Sequence, residues 1–292
     1  MTRTAVITIA HGRHDHWRMQ RAALARSRTV VDDHVLVAID DRGYADGARG
    51  TELPAVRVIE IDTHPDGLPL ARARNVGARA ALDAGAELLV FLDVDCLPSP
   101  DLVDGYRSAA ASPASRGSLL CGPVTYLPPP PLGGYDLDRL HEHDAPHPAR
   151  PAPEPGEVVV GGRHDLFWSL SFAVDAPTWS RIGGFDEDYV GYGGEDTDFG
   201  QRARAAGVDI AWVGDARAYH QHHPTEDPPL RHLDAILRNG AVFAARWGWW
   251  PMRGWLDGFV RAGIIERAGT GYRRVAPARD TAADASTAGA VR

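Results

Sequence analysis

Four short runs, at 5–10, 35–39, 56–61 and 88–92, are close to continuous in apolar residues. Stretches rich in Ala, Leu and Arg fill the first and third of the gaps between them. A strand that alternates in polarity faces water on one side; a strand apolar at nearly every position is covered on both, as in a parallel sheet with crossover helices. The pattern predicts an α/β chain whose mostly parallel, twisted central sheet is flanked by helices, two of them over 17–28 and 70–84. Ligands of such sheets collect at the carboxyl ends of the strands, so the residues following 10, 39 and 92 are candidates for ligand contact.

Composition narrows the chemistry. The 292 residues carry 31 basic and 39 acidic side chains, a net charge of −8, which argues against a nucleic-acid or anionic-membrane partner. Every basic residue is arginine, and without lysine there is no Schiff base, no pyridoxal-phosphate anchor and no phosphate-loop lysine. Cys96 and Cys121 make neither a disulfide framework nor a cysteine zinc site, which points to a reducing compartment. The chain enters its first apolar run directly and has no apolar stretch of about 18 residues, so a soluble, cytoplasmic protein is expected.

Residues 1–126 form the first α/β half. Residues 127–162, with Pro128 to Pro131 consecutive and histidines at 141, 143 and 147, read as a long mobile loop. A second half follows over 163–276, with strands at 170–174 and 210–213 and helices from Glu195 and over 230–246. The Ala-, Thr-, Ser- and Asp-rich tail 277–292 reads as disordered. Trp247, Trp249, Trp250 and Trp255 either dock the last helix on the core or sit at a membrane interface; the weak basic amphipathic pattern favours docking.

Asp93 and Asp95, spaced i and i+2 after the run 88–92, point the same way in extended backbone, and buried like charges call for a cation. Oxygen ligands there suit Mg2+ or Mn2+ with phosphate oxygens completing the shell, although two aspartates also cap a turn without metal. Downstream, Gly191-Tyr192-Gly193-Gly194-Glu195-Asp196-Thr197-Asp198 reads as a helix start. Acids in a first turn favour the helix dipole, and the glycines let the backbone bring Glu195 and Asp196 close to a ligand. Three histidines within four residues, His220, His222 and His223, follow a strand-like segment downstream of the acid pair, a density that suits a metal, with His220 the first candidate and His222 the second.

In order along the chain, Ala73-Arg74-Asn75-Val76-Gly77, Phe91-Leu92-Asp93-Val94-Asp95, Gly183-Gly184-Phe185-Asp186-Glu187 and Gly193-Gly194-Glu195-Asp196 resemble the family 2 glycosyltransferases with a galactosyltransferase-like C-terminal half. The resemblance covers about 4–246. It implies a GT-A fold with a nucleotide-sugar-binding first half, an acceptor-binding and catalytic second half, and an Asp-x-Asp that holds Mn2+ or Mg2+ against a diphosphate. Asp95 matches the main metal ligand, joined by Asp93 and a histidine, here His220. Arg74 and Asn75 match residues near the diphosphate, and one of Asp40 and Asp41 the base-reading acid; Ala10 and His11 face the donor by topology. Asp196 matches the general base, with Glu195 and Gly194 toward the acceptor; apart from the resemblance, Trp168, just before a strand, either stacks on a sugar face or packs in the core. The expected reaction is sugar transfer, by inverting displacement, from a nucleotide-diphosphate donor, UDP favoured, to a carbohydrate or small-molecule hydroxyl. A binding module that lost turnover and a metal-dependent hydrolase are the alternatives; a nucleotidyltransferase would want a basic, lysine-bearing glycine loop.

Overall fold

The computed structural model describes residues 2–48 and 55–275. The first half runs β1 (Thr4–Ala10), α1 (His14–Leu24), β2 (Asp33–Ile39), α2 (Gly43–Ala48), β3 (Arg57–Ile61), α3 (Leu70–Asp83), β4 (Leu88–Leu92), β5 (Cys96–Pro98), α4 (Leu102–Ala111), β6 (Leu119–Cys121) and β7 (Val124–Tyr126). The second runs β8 (Val158–Val160), β9 (Ser171–Asp175), α5 (Ala176–Ile182), α6 (Glu195–Ala205), β10 (Ile210–Val213), β11 (Ala218–His220), α7 (Leu233–Trp247), α8 (Arg253–Arg261), β12 (Ile265–Ala268) and β13 (Gly271–Arg274).

Eight strands make one sheet in the order β3-β2-β1-β4-β9-β6-β10-β8. The pairs β3-β2, β2-β1, β1-β4 and β6-β10 are parallel, while β9 runs antiparallel between β4 and β6, and β8 closes the edge antiparallel to β10. From β1 the order runs to β2 and β3 on one side and to β4 on the other, so the crevice at the carboxyl ends of β1 and β4 is a topological switch point. Both faces are covered. Along β4, Leu89 and Phe91 pack with Ile7 and Val37, while Leu88, Val90 and Leu92 pack with Leu102, Val103 and Tyr106 of α4.

Small residues bring α3 unusually close to this sheet. Ala71, Ala73, Gly77, Ala78 and Ala81 form its buried face, and a Cβ on Gly77 would fall 2.5 Å from Ile7 Cγ2. That seating holds Arg74, on the same helix and 4% exposed, at the strand ends.

Three readings of the sequence change here. The helix expected over 17–28 is α1, which ends at Leu24 because the chain must turn back to enter β2 at Asp33. The helix expected over 230–246 begins with a 3-10 turn, Leu230–His232, before α7. The segment 127–162 is more than a loop: it carries a 3-10 turn at Leu140–His143 and edge strand β8, and it buries Leu127 and Leu140 against Leu97 and Tyr219. Three valines between glycine-rich flanks are too short to announce a strand, and β8 shows two polar-facing features at once, an edge position and exposed side chains. The tail expected over 277–292 lies outside the described residues. Trp247 donates to Asp198 (2.8 Å) and Trp250 lies against Gly240 and Tyr272, so the tryptophans dock the C-terminal elements on the rest of the fold. No helix among the described residues is long and apolar enough to cross a membrane.

Candidate active site

The acid pair stands at the start of α6. Gly193 and Gly194 approach it at φ of 92° and 93°, backbone that side-chain-bearing residues seldom adopt, and Met252 Sδ fills the space a Cβ on Gly193 would need. The acids meet different surroundings. Glu195 shares a face with Phe199, four residues on, whose ring stacks on Phe185 at 4.3 Å within an aromatic cluster that also holds Phe91 and Phe172. Asp198, fully buried, turns away from the site and accepts hydrogen bonds from Tyr189 (3.2 Å), Arg246 (2.9 Å) and Trp247 (2.8 Å). Arg246 also pairs with Asp186 of the Gly-Gly-Phe-Asp-Glu motif, which bolts that loop to α6.

Arg74 spans the centre. Its guanidinium donates to Glu195 Oε1 at 3.3 Å and to Asp93 Oδ1 at 3.1 Å. Burial works against its charge, but the two carboxylates outweigh that and raise its pKa. Glu195 Oε2 is buried without a partner, and burial, then the neighbouring Asp196 charge, push the Glu195 carboxyl up to about 7. Burial raises Asp196 as well, against hydrogen bonds from the Thr197 N–H (2.6 Å) and hydroxyl (3.3 Å). Both are poised nearer neutrality than free carboxylates are.

A second cluster lies where the small sheet β5-β11-β7 meets the strand ends. Register sets His220 opposite Cys96, and the Gln221 N–H donates to the Asp95 carbonyl at 2.7 Å. His220 Nε2 is thereby 3.4 Å from Asp95 Oδ1, and His223 Nε2 3.6 Å from Oδ2. One ligand atom from each of the three lies within 4.8 Å of the others, a spacing that fits one metal ion. Arg13 Nη1 donates to Asp95 Oδ2 at 2.8 Å. Burial and the Arg13 charge hold His223 below the usual histidine range, toward the neutral form that ligates metal.

The expected ligand set is therefore redrawn. After β4 the chain does not stay extended; the Cys96 N–H donates to the Asp93 carbonyl at 2.8 Å, closing a turn that sends Asp93 to Arg74 and leaves Asp95 alone with the histidines. His223, which the sequence reading did not single out, takes the place considered for His222. Beyond β11 the chain leaves the strand, and His222 is exposed, its N–H on the Tyr135 hydroxyl. Asn75 also moves out of the donor site: its carboxamide holds the Phe185 backbone from both ends, at 2.9 Å each, and the Glu187 carboxylate at 2.8 Å. Asp41 is occupied by the N–H groups of Gly12 (3.0 Å) and Gly43 (3.1 Å) and by His14, so it shapes the β1-α1 loop, and neither Asp40 nor Asp41 is among the residues lining the cavity beside His11 and Asp95.

Two cavities share Leu70, Arg74 and Asp93 as a common wall. The smaller, about 170 Å³, is lined by Ala10, His11, Arg13, Ile39 and Asp95 at the switch point. The larger, about 720 Å³, holds Gly194, Glu195 and Asp196 between Trp168 on one side and a strap from Trp249 to Trp255 on the other. Tyr192 and Trp255 stack at its rim, 5.6 Å between centroids. No residue of this strap was assigned to the site from sequence, although its tryptophan density was the signal.

The family model for the N-terminal domain of galactosyltransferase matches residues 164–224, which hold the acid pair and both histidines of the second cluster. Validoxylamine A glucosyltransferase of Streptomyces hygroscopicus subsp. jinggangensis is 33% identical over 238 residues, 74% of this chain and 56% of that protein. Chondroitin synthase of Escherichia coli is 26% identical over 229 residues, 70% of this chain and 33% of the synthase. The chain thus spans about half the length of the glucosyltransferase and a third of the synthase. Two solved structures superpose at low identity. S. aureus TarS 1-349 in complex with UDP-GlcNAc has a TM-score of 0.54 at 14% identity over 77% of this chain and 60% of TarS. GalNAc-T7 with UDP, GalNAc and Mn2+ gives 0.51 at 15% over 76% and 44%. This chain has the GT-A glycosyltransferase fold.

Proposed function

We propose that the chain transfers a sugar from a nucleotide-diphosphate donor, a UDP-sugar, to the hydroxyl of a carbohydrate or small-molecule acceptor, with inversion. The observation that carries this reading is the common wall: the cavity that Asp95 lines, beside His220 and His223, and the cavity that holds the pKa-raised acid pair are joined through Arg74 and Asp93. Asp95, His220 and His223 would hold the ion; two imidazoles with one carboxylate suit Mn2+ better than Mg2+, which prefers oxygen throughout. When bound, such an ion offsets the negative charge that gathers on a departing diphosphate.

The chain's own groups supply the rest. Asp196, the less buried of the pair and open to the larger cavity, takes the acceptor hydroxyl proton as the oxygen attacks the anomeric carbon. Glu195 Oε2, buried and unpartnered, accepts a hydrogen bond from a neighbouring acceptor hydroxyl. The Trp168 face and the strap exclude water from the transfer. Calorimetry with UDP-glucose, UDP-GlcNAc and GDP-mannose, with and without Mn2+, tests the reading on wild type and Asp95→Ala. Heat of binding for one donor that needs both Mn2+ and Asp95 is expected; silence from all three overturns it. The structural neighbours solved with UDP and UDP-GlcNAc make the uridine donors the first choice, and validoxylamine A joins simple glycosides in the acceptor screen.

A further inference from the structure

We propose that His11 reads the donor's base, and that it selects a pyrimidine bearing an imide N–H, uracil or thymine, over cytosine and adenine. The proposal rests on the glycosyltransferase reading and deepens its donor site. His11 Nδ1 lies 2.8 Å from the Ile39 carbonyl oxygen. That oxygen can only accept, so Nδ1 carries the ring proton and the neutral imidazole is fixed in one tautomer. Nε2 is then an acceptor with no hydrogen of its own, and among the described residues none bonds to it.

Its setting says what it meets. His11 lines the smaller cavity, whose other end is Asp95, so a diphosphate at the ion leaves the nucleoside toward the carboxyl ends of β1 and β2, where His11 and Ile39 sit. The aspartates at the end of β2 do not occupy that place: Asp41 is spent on the Gly12 and Gly43 backbone, and Asp40 is not on the cavity wall. An acceptor facing the base pairs with N3–H of uracil or thymine and opposes the lone pairs at N3 of cytosine and N1 of adenine. Guanine also carries an imide-type N–H, but a cavity of about 170 Å³ favours one ring over two. A reader held by its partner's backbone needs no reorganisation on binding.

The test is calorimetric titration of the whole chain with UDP, TDP, CDP, ADP and GDP in saturating Mn2+, on wild type, His11→Phe and His11→Gln. Wild type is expected to bind UDP and TDP about tenfold or more tighter than CDP, the size of one hydrogen bond against one unpaired polar atom. In His11→Phe, which keeps a ring but no acceptor, that ratio falls to near one. In His11→Gln, whose amide offers donor or acceptor, CDP gains. Mn2+ titration in the absence of nucleotide shows that the variants are folded. CDP or GDP binding as tightly as UDP in wild type, or an unchanged UDP-to-CDP ratio in both variants, overturns the role of His11 and leaves the transferase reading standing. No nucleotide binding in wild type overturns both.

Discussion

Glu195, Asp196 and Asp198 are three acids within four residues, and the helix they begin gives each a different environment. Asp196 faces the cavity and is assigned the proton. Asp196→Asn should leave donor and Mn2+ affinity near wild type while transfer falls by about two orders of magnitude or more; an active variant would move the base elsewhere. Glu195 titrates inside the fold. Its ordinary value of 4.5 is raised to about 7, so the folded state favours the protonated form. The stability this contributes is complete below about pH 4.5 and is lost as pH climbs through about 7. Glu195→Gln, fixed in the neutral state, should therefore match wild type at pH 4.5 and exceed it by up to about 3 kcal/mol at pH 8. Urea denaturation at the two pH values measures the difference, and a gap that does not grow with pH would refute it. Transfer in the wild type should decline on the acid side of neutrality, where the pair holds a proton.

At the level of elements, α7 holds α6 through Arg246, whose two partners, Asp186 and Asp198, come from the two glycine-led acidic motifs. Arg246→Met should cost about 2–3 kcal/mol, the lower side of orphaning a buried charge because Tyr189 and Trp247 still donate to Asp198. Adding Asp198→Asn should recover part of that loss in the same denaturation assay, and full additivity of the two changes would contradict the account. Much of this framework was legible in the sequence. The strands 88–92 and 210–213 and the start of α6 fall where their periodicity and glycines put them, because each is specified by its own residues. Asp95 and His220 could be singled out beside strand ends and Glu195 and Asp196 at a helix start, where their motifs put them. What stayed hidden depends on pairing between distant segments. His223 meets Asp95 only through the register of β5 with β11, Asp93 leaves the metal cluster because Arg74 claims it, and β8 exists only because β10 offers it an edge. No local pattern carries such information.

Across the whole molecule, the sheet order separates two tasks. Its parallel side, β3 to β4, ends in the cavity beside His11 and Asp95, and the walls around Glu195 and Asp196 combine the shared Arg74 and Asp93 with Trp168 and the elements after β9. The strap from Trp249 to Trp255, the far wall of the larger cavity, lies beyond the residues matched by the galactosyltransferase model. Joining the two sides is Arg74, one guanidinium shared between a carboxylate of each. A charge divided in this way cannot satisfy both partners more strongly at once. Whatever binds beside Asp93 and draws the cation toward itself leaves Glu195 less compensated and changes its grip on the next molecule, and linkage requires that molecule to exert the same influence in return. The two cavities are thus coupled by electrostatics, whichever is filled first, before any segment moves.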